Sequence, residues 1–206
     1  MTAPHAAFAT PYPPSEETFA GSLMLQVARG VEDLDDLRDQ VEDLVEHDDY
    51  SAVHPDEPVP TLEEAHALLD QVVAAHDAVV TESSPSALAL ERALAALPGR
   101  GIAVSVGEGF DAGEAAREGY AAARELPGAV GYVYCHLQDL DRVVLTGRLL
   151  LGFSGMSGRL DDEAAAVGRT VVEVLTDAGL PVAWDGDPGA RVLVGPVRWE
   201  RPFGTR

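Results

Sequence analysis

The 206-residue sequence contains no lysine: its fourteen basic residues are all arginine, set against 35 aspartates and glutamates for a formal net charge of −21. A field of that sign repels nucleic-acid backbones and anionic headgroups, since both are bound by basic side chains displacing counterions. Neither nucleic acid nor a membrane surface is an expected partner. Arginine in place of lysine fits codon usage in a GC-rich genome, with salt adaptation as a second cause. Cysteine is nearly missing too. Cys135 stands alone, so no internal disulfide can form and a reducing compartment is the natural reading. No run approaches the roughly 18 apolar residues of a membrane-spanning helix. The opening stretch MTAPHAAFATPYPPS lacks the basic start and apolar core of a secretory signal. The expected location is the cytoplasm.

What is present is ordinary in amount and uneven in distribution. Apolar residues make up 46% and charged residues 24%, a globular composition that folds without a metal or a disulfide. A chain of this length buries about 70% of the surface it would expose unfolded. Residues 1–98 hold 20 acids and 3 arginines, whereas residues 99–206 hold 15 and 11, which suggests two parts with different surfaces.

Along the chain, residues 1–18 read as a disordered tail and 19–98 as an acidic helical region. SLMLQVARG forms a short amphipathic helix stopped by Gly30. Leu34, Leu37, Val41 and Leu44 follow helical spacing behind Asp33, a candidate N-cap. Residues 48–60 carry three prolines and no period, and read as a connector. Thr61 and Glu64 form a capping box opening a helix to about Val80, and Ser84 before Pro85 opens another, ending near residue 98. Beyond it the pattern becomes β-α-β-(α)-β-α-β-β, an α+β sandwich of ferredoxin-like order with an added edge strand, over 99–206.

Several stretches invite a chemical reading. In GIAVSVGEGFDAGEAA, Gly107, Gly109 and Ala112 follow a strand and precede a helix, as in a dinucleotide fingerprint. Glu108 and Asp111, however, put negative charge where a pyrophosphate would sit, and a glycine-rich strand-to-helix turn explains the segment. Cys135 and His136 are neighbours on a strand, so they point to opposite faces and cannot act on one another. His136 ends that strand, with Gln138 and Asp139 directly after it. Either a carboxylate close to the imidazole gives a polar site, or His136 packs while Asp139 serves the helix start. Trp184 and Arg191 flank the turn DGDPGA, where they would stack or line a pocket. Asp185 and Asp187 fit a hairpin turn better than a calcium loop, which has a regular ladder of oxygens. Glu63 and His66 match half of a di-iron motif, but no second copy follows. GFSGMSG lacks the glycine that a nucleophile elbow requires two residues after its serine.

At YCHLQDLDR and WDGDPGARVLV the chain resembles a bacterial domain-of-unknown-function family common in GC-rich genomes. The matching residues are His136, Gln138, Asp139, Trp184, Asp185, Gly186, Arg191 and Trp199, with GRLLLGF as the middle strand. The likeness covers about residues 85–200, and LMLQVARGVEDLDDL more loosely. Leu137 stands where that family has glycine, and GEGFD where it has Asn-Ala-Gly-Tyr-Thr. The resemblance implies the fold and a polar hot spot, and no particular activity.

The expected function is therefore a non-catalytic binding or regulatory module. It acts through its acidic helices on a basic protein or through a cleft on a small ligand, the cleft comprising Tyr134, His136, Gln138, Asp139, Trp184, Asp185 and Arg191. The alternative is a hydrolase or transferase with His136 as general base, Asp139 or Asp185 as its orienter and Arg191 as an anion clamp. A homodimer paired through RVLVGPVRW, taken as an edge strand, is a further possibility. No cofactor or metal is expected.

Overall fold

The computed structural model describes residues 16–46, 50–159 and 161–204. The tail expected over 1–18 falls mostly outside these residues; within them, Thr18 is the N-cap of the first helix. The chain gathers into two compact units, Met1–Ser83 with Trp199–Arg206, and Ser84–Arg198.

The first unit is helical: α1 (Phe19–Arg29), α2 (Leu34–Glu46), α3 (Tyr50–Val53) and α4 (Leu62–Val79). Local signals set their ends. Gly30 stops α1 in the left-handed region at φ 66°. The Asp33 side chain accepts the Asp35 and Asp36 N–H groups at the start of α2. Thr61 and Glu64 close their capping box on α4. The connector read between residues 48 and 60 contains α3, a single turn. Tyr50, 2% exposed, anchors it with its ring 5.2 Å from both Phe19 and His54. A lone turn has too few residues to show a period. The end of the chain returns to this unit: Trp199 is buried and donates its indole N–H to the Arg29 carbonyl at 3.3 Å.

The second unit holds α5 (Pro85–Ala96), β1 (Ile102–Val106), α6 (Ala112–Glu125), β2 (Gly131–Cys135), α7 (Leu137–Thr146), β3 (Leu149–Gly155), α8 (Asp162–Asp177), β4 (Val182–Ala183) and β5 (Val192–Val194). The molecule is thus α+β, with helices alone ahead of the sheet, and these elements follow the expected alternation. The order within the sheet differs from the ferredoxin-like expectation. It runs β1-β2-β3-β5-β4, with β1 and β2 parallel neighbours and every other pairing antiparallel. A ferredoxin-like sheet splits its βαβ units with an intervening strand; here α6 crosses over to the adjacent position. The last strand is likewise internal. β5 lies between β3 and β4, so the edges are β1 and β4, and the edge pairing expected of RVLVGPVRW is not open to it.

Alternation gives the sheet two distinct faces. Tyr132 and Tyr134 lie toward α6, where Tyr132 packs with Ala103 and Ala123. Gly131, Val133 and Phe153 lie toward α8. Glycine at 131 lets that helix sit close, since a Cβ there would fall 2.5 Å from Val167 and 2.4 Å from the Ser154 carbonyl.

Candidate functional site

Asp139 is the third residue of α7. His136 is the N-cap of that helix, and its backbone N–H donates to the Asp139 carboxylate at 3.3 Å. This turns the carboxylate back toward the end of β2, where its side chain is wholly buried. Three basic side chains close on it. Arg191, one residue before β5, donates Nη1 to Oδ1 at 3.0 Å and Nη2 to Oδ2, and Nη2 also donates to the Leu150 carbonyl at 2.7 Å. Arg142, a turn further along α7, donates Nη1 to Oδ1 at 3.2 Å. His136 Nε2 lies 3.0 Å from Oδ2. A carboxylate taken out of water is tolerated only where such partners replace its hydration, and the two-pronged arginine geometry is the strongest of them.

Burial holds the His136 imidazole below its ordinary pKa; the Asp139 carboxylate pulls the other way, and both arginines reinforce the lowering. At neutral pH the ring is therefore uncharged. Two guanidinium groups thus face the one buried carboxylate, and the Asp111 carboxylate lies near enough to act on His136 as well. His136 Nδ1 and Arg191 Nε are buried without a hydrogen-bond partner among the described residues. Tyr134 completes the surroundings, half-buried, its phenol pKa raised mainly by burial and opposed by Arg191. Register places Gly152 opposite Tyr134. A Cβ at Gly152 would stand 2.3 Å from the Tyr134 ring, so glycine there makes room for the phenol.

Cys135 is buried on the α8 side and its thiol is pushed up to about 12, mainly by burial. It supplies no thiolate at neutral pH. The glycine loop serves the fold. Gly109, at φ 78°, passes so close to α6 that a Cβ would meet the Ala115 nitrogen at 2.6 Å. The N-terminal donors of α6 are occupied: the Asp111 carboxylate accepts from the Gly113 and Glu114 N–H groups at 2.7 and 2.9 Å, which lowers its pKa. A phosphate seated on this helix would have to displace that carboxylate.

Of the residues singled out from sequence, the fold brings together Tyr134, His136, Asp139 and Arg191. Gln138 is exposed on the first turn of α7. Trp184 lies elsewhere: its ring meets Phe153 edge-on at 5.4 Å, on the α8 side, and its N–H donates to the Asp187 and Ala190 carbonyls. It closes the turn and does not stack on Arg191. Asp185 accepts the Asp187 N–H at 3.0 Å within that turn. Arg142 is the participant that sequence reading missed; its i,i+3 spacing from Asp139 was the available signal.

Fold and site thus define an α+β unit with a buried carboxylate, two arginines and a neutral imidazole beyond the carboxyl end of its parallel strand pair. The chain belongs to the family described as Domain of unknown function (DUF6891), whose model matches residues 13–203. No curated protein and no solved structure matches the chain. Among the described residues no helix is long and apolar enough to cross a membrane, and no three His, Cys, Asp or Glu side chains form a metal-binding group.

Proposed function

We propose that the sheet unit is a non-catalytic binding module, and that its ligand is a small molecule whose anionic group docks at the Arg142–Arg191 rim of the Asp139 centre. One observation carries this reading. Both guanidinium groups are fixed on a wholly buried carboxylate while the Arg142 and Arg191 side chains remain 44% and 26% exposed. Groups ordered before the ligand arrives lose little further freedom on binding, which is the main route to affinity in a small site. Phe110, 71% exposed in the loop whose Gly109 carbonyl accepts the Leu137 N–H, offers an apolar surface for the rest of the ligand.

The test is a titration of the full chain with acetate, inorganic phosphate and citrate, followed by 1H–15N NMR. Saturable shifts at residues 136–142 are expected from at least one of them, weakened about tenfold by Arg142→Gln, the worth of one charged hydrogen bond. Absence of saturable shifts from all three would sink the proposal.

A second reading is favoured by the His136–Asp139 contact. With a carboxylate beside Nε2, the neutral ring keeps the buried Nδ1 as its unengaged nitrogen, which serves as a general base for any substrate that reaches it. Under this reading the unit is a hydrolase or transferase. Turnover of chromogenic ester or phosphoester substrates that disappears in His136→Gln, with folding intact, would replace the binding module by the enzyme.

A further inference from the structure

A recess of about 470 Å3 opens on the α6 side of the sheet, lined by Ala116, Arg117 and Tyr120 of α6, Tyr132 of β2, and Met156 and Ser157 following β3. It shares no residue with the Asp139 centre. Its volume is in the range of small-molecule sites. We infer that it binds a small aromatic carboxylate.

The walls supply the aromatic preference. Gly119 lets the Tyr132 ring nest against α6, where a Cβ would come within 2.6 Å of that ring, so Tyr132 is only 6% exposed. Tyr120 meets it edge-on at 6.2 Å and 72° and is itself 41% exposed. Two rings at that angle form a corner that receives a third by edge and offset contacts, a geometry favoured by the ring quadrupoles. The half-buried Met156 adds a polarizable thioether wall, which suits an aromatic edge.

The charge preference comes from Arg117. Its Nε donates to the Gly113 carbonyl at 3.2 Å, which orients the guanidinium and leaves both terminal nitrogens without a hydrogen bond to the described residues. The acids around it are held by other donors: Asp111, which interacts electrostatically with Arg117, accepts from the Gly113 and Glu114 N–H groups, Asp161 accepts from the Ser157 hydroxyl at 3.4 Å and Glu163 from the Ser157 N–H at 3.2 Å. A cationic ring would meet repulsion from Arg117, and a neutral ring would leave the guanidinium unused. A ring carrying a carboxylate fills the corner and presents the planar, two-oxygen partner that a guanidinium fork matches.

The experiment is 1H–15N NMR of the full chain titrated with benzoate, cyclohexanecarboxylate and benzyltrimethylammonium. Benzoate is expected to give saturable shifts at residues 116–120 and 156–158 and to bind more tightly than either comparison probe. Arg117→Gln and Tyr120→Leu should each weaken it about tenfold. Both side chains are exposed, so unchanged thermal midpoints are expected to show the variants folded. The inference is overturned by an absence of saturable benzoate shifts, by equal or tighter binding of a comparison probe, or by benzoate binding that survives both substitutions. Benzoate shifts confined to residues 134–142 would also overturn it while reporting on the Asp139 centre, so the two sites are told apart.

Discussion

In the helical unit the carboxylates of α2 stay on the surface: Asp35, Asp36, Asp39, Glu42 and Asp43 are exposed, and only Leu37 and Val41 of that helix are buried. In the sheet unit one carboxylate, Asp139, is carried inside and draws onto itself the His136 and Arg142 side chains of its own helix and cap and the Arg191 side chain from the segment before β5. The difference separates the amount of charge from its structural weight. Surface acids keep most of their water and each is replaceable, whereas a buried acid binds its partners into one arrangement and leaves them stranded when it is removed.

The contrast is broken most severely at its centre. Asp139→Asn should cost about 3 kcal/mol, the lower part of the range for breaking a buried pair, because both arginines keep some contact with water; urea unfolding measures it. Gly109→Ala should follow at about 2 kcal/mol, combining a left-handed backbone with a clash against helix backbone, and is read the same way. Acidification compares the units directly. Burial lowers the pKa of His76 in the helical unit and of His136 in the sheet unit. The unfolded chain then takes up the proton first. Stability is held above about pH 6.5 and falls as pH drops from there toward the folded values, by at most about 1.4 kcal/mol per pH unit for each histidine. Replacing either histidine by glutamine should flatten the decline between pH 7 and 5. Thr61→Ala, which removes half of a capping box, should cost about 1 kcal/mol in thermal unfolding. Glu42→Gln should stay within about 0.5 kcal/mol; a larger loss would mean that the acidic surface is structural after all.

The same contrast governs what could be read in the sequence. Helix ends were legible because their causes are local: Gly30, Asp33, Thr61 with Glu64, and Ser84 before Pro85 each act within four residues. Strand order was not, since the pairing of β1 with β2 depends on where α6 crosses, and nothing within either strand records it. At the site, His136 and Asp139 were legible because the end of a strand and the start of a helix put them three residues apart. Arg191 was noticed without its internal partner: read as a clamp for an anion, it is found paired with the carboxylate of Asp139 as well. Trp184 was misplaced because β4 has two residues, too few for alternation to fix which face the next side chain takes. Once β5 is registered against β3, with Val192 opposite Leu151, alternation sends Arg191 away from the face that holds Trp184.

The anchoring of Trp199 on Arg29 has a consequence for biosynthesis. A ribosome delivers Arg29 some 170 residues before the indole that caps its carbonyl, while every residue of the sheet unit has been translated once Arg198 is added. The unit that begins first is thus the last to receive all its parts, and its earliest helices must wait through the synthesis of an entire neighbour before their packing is complete.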